Sequence, residues 1–497
     1  MQVLFTPPVV SNATGTPHAL AAAGNAVVTD EASLALNGAL SGTAPIDRIL
    51  LKAAAGAGKS FALKRLVDEA LLHPKCKRVA IVAFTNKQLH PLAVDLGRIL
   101  GKAQVCLFVN KDRIPDVPAD AAAAATVVGS TKDIPATAKV VISTCHKLGA
   151  FNERKRQLDQ FGPGMNGKDP FDVLFADEAW QIAHHLFDPI RNVAPLVVAV
   201  GDVGQLPPIE IGGNPWRGDP GYNPWRAWPT DYDDDARTWA RELPAVWRPA
   251  AGHLDLWRAF YPEWEALNCV AAPGDRSLNS PALSGVAADI WNQVGTGVPT
   301  LLEVDGLPAA DAADVDLPLM GFVRSLLDEL FGAGFALESA DYDATGAPTG
   351  TITVMTPGTH TGDPLVAILA TRNQAVDDAG DVVADLVSKY GLTHADVVSS
   401  TVDSYQGQTN GITVAIHPLT GASSLDEFNS AFGRLAVTCT RATHGLLVVS
   451  RPGLDKLLGE APARPGTPFG EPGNRQLPRQ THQRILYTFA RGQLTVP

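Results

Sequence analysis

The segment that decides the fold is Ile49-Leu50-Leu51-Lys52-Ala53-Ala54-Ala55-Gly56-Ala57-Gly58-Lys59-Ser60, an apolar run that ends in a glycine-containing loop. The pattern predicts a strand, a phosphate-binding loop and a helix whose N-terminus faces an anion. In such a loop Gly56 and Gly58 let backbone N–H groups surround phosphate oxygens, Lys59 reaches the β- and γ-phosphates, and Ser60 coordinates Mg²⁺. The predicted nucleotide-binding residues are Ala53, Ala54, Ala55, Gly56, Ala57, Gly58, Lys59, Ser60 and Phe61. An ordinary Ala/Gly turn is the alternative, because Ala53 stands where the pattern has Gly.

Two acidic residues follow a second apolar run. Residues 171–176 predict a buried strand, and Asp177 and Glu178 come directly after it. Open α/β sheets bind ligands at the carboxyl ends of their strands. We therefore expect Asp177 to hold Mg²⁺ and Glu178 to orient or deprotonate a water that attacks a phosphate. The alternative is a pair of acids that stabilises a helix N-terminus.

A third apolar run, residues 195–200, leads into Gly201-Asp202-Val203-Gly204-Gln205-Leu206-Pro207-Pro208, where Gln205 is placed to sense a γ-phosphate. The phosphate loop, Asp177-Glu178-Ala179-Trp180-Gln181 and this segment resemble, in this order along the chain, the motifs of the first lobe of superfamily 1 helicases. The match is to class B, the nonsense-decay RNA helicase and RecD-like group. The resemblance implies an α/β fold with two RecA-like P-loop NTPase lobes built on parallel sheets, with small insertions.

Three further segments resemble motifs of the second lobe in the same family. They are residues 243–249, with Trp247 in place of the usual Tyr, residues 401–408 and residues 436–442. The resemblance implies that Arg248 and Arg441 contact the γ-phosphate and that Gln406 and Gly407 bind the nucleotide. A planar guanidinium suits this role, because it engages phosphoryl oxygens bidentately. A surface ion pair is the alternative for each arginine taken singly.

The family's nucleic-acid contacts also have counterparts. Residues 79–88 resemble its first strand-contacting motif and residues 142–147 its Thr-x-His motif. Hydroxyl, amide and N–H donors commonly bind backbone phosphates. The predicted contacts are Thr85, Asn86, Thr144 and His146 in the first lobe and Pro357, Thr401 and Asp403 in the second. For His146 the alternative is a core or capping residue.

The position where the family usually reads adenine with Gln is occupied here by Ala32. A site discriminates strongly only when the wrong ligand leaves a polar group unpaired. We expect ATP and Mg²⁺ as cofactors, with modest selectivity among nucleoside triphosphates.

Composition agrees with these predictions. The 497 residues are 45% hydrophobic and include five cysteines without paired spacing, which indicates reduced thiols. A net charge of −12 argues against a protein that coats nucleic acid nonspecifically, since cationic side chains supply most of that affinity. No leader or membrane-spanning run is evident, so we expect a soluble, monomeric, cytoplasmic protein.

The motifs predict five regions. They are a lead-in (1–46), a first RecA-like lobe (47–212, with an insertion at about 101–139), a Pro/Gly/Trp-rich connector (213–241), a second lobe (242–460, with an unassigned insertion at about 271–346) and a basic tail (461–497). The tryptophans of the connector either stack on bases or attach it to the lobes, and the second is favoured. The tail either contacts a protein partner or nucleic acid, or lies along the second lobe.

The sequence thus predicts a nucleic-acid-dependent ATPase that moves 5′→3′ along single-stranded DNA or RNA and unwinds duplexes. One alternative is a nucleic-acid-gated switch without processive unwinding. A phosphate-loop kinase or metabolic NTPase is a third hypothesis, which needs no second lobe.

Overall fold

The computed structural model describes residues 2–11, 15–204, 206, 208, 221–264, 266–312, 315–426, 429, 431–461 and 478–496. The strands are β1 (Phe5–Thr6), β2 (Arg48–Ala53), β3 (Val79–Ala83), β4 (Val105–Phe108), β5 (Thr126–Val128), β6 (Val140–Thr144), β7 (Val173–Asp177), β8 (Leu196–Gly201), β9 (Thr238–Leu243), β10 (Ala245–Val246), β11 (Asn268–Cys269), β12 (Arg276–Asn279), β13 (Thr300–Asp305), β14 (Ala336–Tyr342), β15 (Pro348–Met355), β16 (Val366–Ala370), β17 (Val397–Thr401), β18 (Asn410–Ile416), β19 (Ala442–Ser450) and β20 (Ala490–Thr495).

Helices alternate with these strands along most of the chain. They are α1 (His18–Ser41), α2 (Lys59–Leu72), α3 (Asn86–Leu100), α4 (Ala119–Ala124), α5 (Cys145–Leu148), α6 (Glu153–Phe161), α7 (His184–Phe187), α8 (Leu254–Phe260), α9 (Gly285–Gly295), α10 (Leu317–Ala333), α11 (Asn373–Tyr390), α12 (Phe432–Cys439), α13 (Leu454–Glu460) and α14 (Pro478–Leu486). Within the described residues, no helix is both long enough and apolar enough to cross a membrane.

The first sheet has the strand order β5-β4-β6-β3-β7-β8-β2-β9, and neighbouring strands are parallel throughout. Its central strands are short apolar runs that are buried on both faces, as parallel sheets covered by helices require. β2 lies beside β8, with Leu50 opposite Ala199, so the loop after β2 and the residues after β8 emerge side by side.

The second sheet has the order β1-β20-β13-β19-β18-β16-β17, parallel except for the edge strand β1. A smaller antiparallel sheet, β12-β14-β15, completes this half. The predicted α/β fold with two RecA-like lobes on parallel sheets is confirmed.

The regions predicted as insertions contribute strands to the two large sheets. Residues 101–139 contain β4 and β5, which extend the first sheet, and residues 271–346 contain β13, which lies between β19 and β20 in the second. Each is a run of three to six residues. Such short runs do not show by themselves which sheet they join, because pairing depends on partners far away in the chain.

Both ends of the chain pack against the lobes, and residues 490–495 of the tail lie in the second sheet, in agreement with the alternative that the tail lies along the second lobe. β1 pairs with β20 in the second sheet, while α1 contacts β2 and α2 of the first lobe. The connector ends in β9, which pairs with β2, so the first sheet extends to Leu243. Trp228 of the connector is fully buried and stacks on Phe187 at 3.8 Å between ring centroids. Residues 209–220 and 462–477, with Trp216, lie outside the described part of the chain.

Candidate functional site

The phosphate loop follows β2, and its conformation depends on two glycines. Gly56 and Gly58 have φ values of 74° and 91°, and α2 begins directly afterwards at Lys59. A Cβ on Gly56 would lie 2.3 Å from Cβ of Arg248, so glycine is required there for close approach as well as for conformation. The four loop alanines, Ala53, Ala54, Ala55 and Ala57, are buried.

Side chains distant in the sequence hold this loop in place. Asn25 Nδ2 donates to Ala57 O and to Ala245 O, both at 2.8 Å. Trp257 Nε1 donates to Ala55 O at 2.8 Å, while Ala55 N donates to the hydroxyl of Tyr261 at 3.1 Å. Sequence reasoning missed these three side chains, because nothing near Asn25, Trp257 or Tyr261 in the chain marks them as contacts of a loop up to 206 residues away.

Three acidic side chains converge on Lys59. Its Nζ lies 2.8 Å from Glu178 Oε1 and 3.9 Å from Asp202 Oδ2. Asp177 ends β7 and Asp202 follows β8, so adjacent parallel strands deliver both carboxyl groups to one edge of the sheet. Glu178 has a positive φ of 49°, a conformation uncommon for a residue other than glycine.

Burial dominates the electrostatics of these acids. It raises the pKa of Asp177 to about 7, with a further increase from the charge of Glu178. Burial also raises the pKa of Asp202, whose Oδ1 accepts hydrogen bonds from Tyr261 Oη (2.8 Å) and Gly204 N (2.9 Å). Oδ2 of Asp202 is buried without a hydrogen-bond partner among the described residues. Positive charge brought close to these carboxyl groups favours their ionised forms.

The oxygen ligands present fit a magnesium ion. Asp177 and the hydroxyl of Ser60, in the first turn of α2, are hard oxygen donors of the kind that Mg²⁺ takes alongside nucleotide phosphates. Among the described residues, no group of three His, Cys, Asp or Glu side chains forms a complete protein cage for a metal.

Two arginines approach the loop from the other side, Arg441 buried and Arg248 half-buried. Arg441 is 1% exposed, and its guanidinium donates to Val437 O (3.2 Å), Gln408 O (3.3 Å) and Thr440 Oγ1 (2.9 Å). Nη1 of Arg248 donates to Thr440 O at 3.1 Å. Burial, followed by the charge of Arg441, lowers the pKa of Arg248 to about 9. Two like charges held close together favour binding of an anion between them and Lys59.

The backbone around Arg248 connects the two lobes. Trp247 N donates to Gly56 O at 2.8 Å in the phosphate loop. Arg276 of β12 donates through Nη2 to Trp247 O at 2.7 Å, and through Nη1 to Arg248 O and to Thr443 O, the latter at 3.3 Å. Arg276 is a second-lobe residue that sequence reasoning missed, since it lies in the segment predicted to be an insertion.

The remaining predicted nucleotide contacts lie close by or outside the described chain. Gln406 and Gly407 belong to the β17–β18 loop, where Gly407 has a φ of 82° and the next residue, Gln408, accepts the hydrogen bond from Arg441. Gln205 lies outside the described residues. Ala32 is fully buried in the core of the first lobe and has no polar side chain to offer a base.

The predicted nucleic-acid contacts of the first lobe lie close together. Ala83 at the end of β3 is opposite Thr144 at the end of β6, so Thr85, Asn86 and Thr144 lie at neighbouring strand ends. Thr85 caps α3 in a reciprocal box with Gln88, and Thr144 caps α5 by accepting from Lys147 N at 3.2 Å. His146 is exposed, with its ring 6.2 Å from that of Phe84, which does not support its alternative as a core residue.

In the second lobe, the predicted nucleic-acid contacts lie at two separate places. Thr401 ends β17, and Asp403 follows it and pairs with Arg434 at 3.2 Å. Pro357 does not join them. The adjacent Gly358 donates to Asp396, the residue before β17, so the Pro357 loop lies at the opposite end of that strand. The preceding strand β15 belongs to the antiparallel sheet rather than to the parallel one, which explains the difference.

Comparisons with known proteins agree with the phosphate-loop assignment. Residues 37–210 match a family described as an AAA domain. A search of curated proteins found no similar sequence. Similar solved structures include the PRRSV helicase (15% identity, TM-score 0.37, covering 86% of this chain and 58% of that one) and an Arterivirus nonstructural protein 10 helicase in complex with DNA (15%, 0.39, 86% and 64%). Another is the DUF1998 helicase MrfA bound to DNA (9%, 0.42, 98% and 56%).

The chain thus spans about 56–64% of the length of these structures. The family match covers the phosphate loop, the acidic strand ends and most of the first sheet. Residues 37–210 are therefore similar to an AAA domain, and the phosphate loop lies within the matched range.

Proposed function

We propose that the protein hydrolyses ATP in the cleft between its lobes and uses the cycle to move along single-stranded nucleic acid. The observation that carries this proposal is the convergence of Lys59, Arg248 and Arg441 near the buried acids Asp177, Glu178 and Asp202. Three cations from two lobes beside three acidic side chains suit a reaction in which negative charge grows on phosphoryl oxygens.

In this mechanism each residue has a distinct task. Lys59, Arg248 and Arg441 neutralise the phosphoryl oxygens, while Glu178 accepts the proton of the attacking water. Ser60 and Asp177 are the residues that would hold Mg²⁺, which when bound would withdraw negative charge from the phosphates. The Lys59–Glu178 ion pair has to separate first, because phosphates compete for Lys59 and their arrival frees the Glu178 carboxylate.

Coupling to movement follows from where the two lobes carry their residues. Thr85, Asn86, Thr144 and His146 lie at the ends of strands β3 and β6 in the first lobe, whereas Thr401 and Asp403 lie at the end of β17 in the second. Binding of a γ-phosphate between Lys59 and the arginines draws the lobes together, and its release lets them separate. The distance between the nucleic-acid contacts of the first lobe and those of the second then changes once per turnover, as translocation requires.

Three further properties of the proposed motor are implied by the resemblance to class 1B helicases. These are movement in the 5′→3′ direction, duplex unwinding, and nucleotide contacts by Gln205, Gln406 and Gly407. Monomeric and cytoplasmic behaviour belongs to the same proposal. A nucleic-acid-gated switch with the same cleft but without processive unwinding is the second candidate.

The decisive experiment measures ATP turnover with and without single-stranded DNA and RNA, followed by strand separation on duplexes with a 5′ or a 3′ tail. We expect stimulation by single strands and unwinding only from a 5′ tail. Protein carrying Lys59→Ala, purified in parallel, controls for contaminating ATPases. Stimulation without unwinding from either tail would favour the switch, and strand-independent turnover would favour a kinase or metabolic NTPase.

A further inference from the structure

A groove of about 590 Å³ lies on the first lobe beside the predicted strand contacts. It is lined by more basic than acidic side chains, namely Lys111, Lys132, Lys147 and Arg156 against Glu153 and Asp159. Lys111 and Lys132 are exposed. Nothing in the nucleotide cleft uses these residues.

The position of the groove in the sheet is informative. Its walls follow the carboxyl ends of β4 and β5, and Lys147 lies on α5, next to His146. The first sheet runs β5-β4-β6-β3, so the groove continues outward from the Thr85 and Thr144 positions along one edge. Three strand spacings of about 4.8 Å place the far end roughly 14 Å beyond β3.

The floor of the groove is built around a partly buried cation. Nζ of Lys147 donates to Gly129 O at 3.1 Å and lies 4.3 Å from the centroid of the Phe108 ring. Burial lowers the pKa of Lys147. A Cβ on Gly129 would come within 2.6 Å of Cγ of Lys111, so glycine lets the Lys111 stem lie across the floor. An anion above Lys147 would compensate its loss of hydration.

The acidic residue deepest in the wall is already engaged. Glu153 is 3% exposed, accepts a hydrogen bond from Thr131 and lies 3.4 Å from Nη1 of Arg156. Its charge is therefore largely satisfied within the wall. The exposed ammonium groups of Lys111 and Lys132 are left at the mouth, where a polyanion passing along the sheet edge would meet them.

We propose that this groove is a second phosphate-binding part of the nucleic-acid-binding surface. It holds the backbone of the same single-stranded nucleic acid beyond Thr144. The inference rests on the proposed function and deepens it. The groove binds through phosphates rather than bases, so it is indifferent to sequence.

The test measures fluorescence anisotropy of labelled oligonucleotides of increasing length at several salt concentrations. The groove variant combines Lys111→Ala with Lys132→Ala. The matched control combines Lys77→Ala with Lys139→Ala, which removes two exposed lysines preceding β3 and β6, at the opposite edge of the same sheet. Far-UV circular dichroism and thermal midpoints establish that both variants are folded. A variant that combines Lys111→Arg with Lys132→Arg keeps both positive charges and serves as the Arg variant.

We expect the groove variant to bind long strands about three- to tenfold more weakly, with the shortest bound strands unaffected. Its slope of log affinity against log salt should fall by about 1.4, since each lost phosphate contact on a single strand contributes about 0.7. The control and the Arg variant should keep the wild-type slope.

Each other outcome has a definite meaning. If wild type binds strands and the groove variant matches the control at every length, the groove is not part of the nucleic-acid-binding surface, although the proposed function stands. Failure of the wild type to bind any strand, together with unstimulated turnover, overturns the proposed function and this inference with it.

Discussion

The first lobe lines the cleft with residues that end or follow its strands, whereas the second lobe lines it with residues that precede its strands. The phosphate loop follows β2 and Asp177 ends β7, but Gln408 lies just before β18 and Arg441 just before β19. Both sheets are parallel, yet they present opposite edges to the same space. The rule that ligands bind at carboxyl ends therefore locates the nucleotide from the first lobe only.

The difference also changes how each cation is held. Lys59 begins helix α2 and reaches across to acids on neighbouring strands. Arg441 instead follows the C-terminus of α12 and donates to Val437 O, a carbonyl in the last turn of that helix. A helix C-terminus stabilises a cation, so the second lobe can keep a guanidinium buried without a carboxylate against it.

The largest expected effect is on the first lobe. Glu178→Gln keeps the shape of the side chain and removes its basicity, and Lys59→Ala removes the charge that meets the phosphates. We expect turnover to fall by about a thousandfold or more in both variants, and nucleotide to be retained only by Glu178→Gln. Turnover rates and binding of a fluorescent ATP analogue measure this. Near-normal turnover in Glu178→Gln would exclude it as the base.

A second effect isolates the second lobe. Arg441→Ala should lower kcat by roughly a hundred- to a thousandfold while changing nucleotide affinity much less, because the contact forms as the lobes close. Arg441→Lys should rescue poorly, since a point charge cannot reproduce a planar fork. Strand binding, which depends on other residues, should survive. Wild-type stimulated turnover in Arg441→Ala would contradict the two-lobe mechanism.

A third effect distinguishes the lobes by their response to acid. His253, His417 and His444, which pack in or against the second lobe, have pKa values lowered to about 3, chiefly by burial. The ordinary value is about 6.5, so the unfolded chain binds more protons between about pH 3 and 6.5. The contribution of these neutral histidines to the free energy of unfolding is therefore complete above pH 6.5. It falls as the pH falls, by up to about 1.4 kcal/mol per pH unit for each histidine.

Hydrogen exchange followed by mass spectrometry between pH 7.5 and 5.5 tests this expectation. Second-lobe peptides should lose protection first. His417→Asn should reduce the pH slope of stability, whereas the exposed His394→Asn should leave it unchanged. Equal loss of protection in both lobes would show that these histidines do not set the acid response.

The smallest effect concerns the base. Because Ala32 is buried and has no amide, discrimination among ATP, GTP, CTP and UTP should be modest. Steady-state rates with the four nucleotides test this. A preference above roughly a hundredfold, equivalent to about 2.7 kcal/mol, would indicate that another residue reads the base.

The sequence by itself determined the local features of the site. Gly56 and Gly58 before Lys59, and acids directly after a buried strand, are specified within a few residues, because backbone conformation and strand ends are local properties. The same holds for the capping positions of Thr85 and Thr144. These were predictable without any knowledge of the neighbouring strands.

Only the tertiary structure decided which distant groups meet. Asn25 and Tyr261 hold the phosphate loop, and Arg276 fixes Arg248, across separations of between 28 and 206 residues. The same is true of β4, β5, β13 and β20, short runs whose sheet is set by their neighbours. Contacts of this kind depend on packing of the whole chain, which no local periodicity encodes. The opposite orientation of the two sheet edges at the cleft likewise depends on packing of the whole chain, and it places Arg441 opposite Lys59.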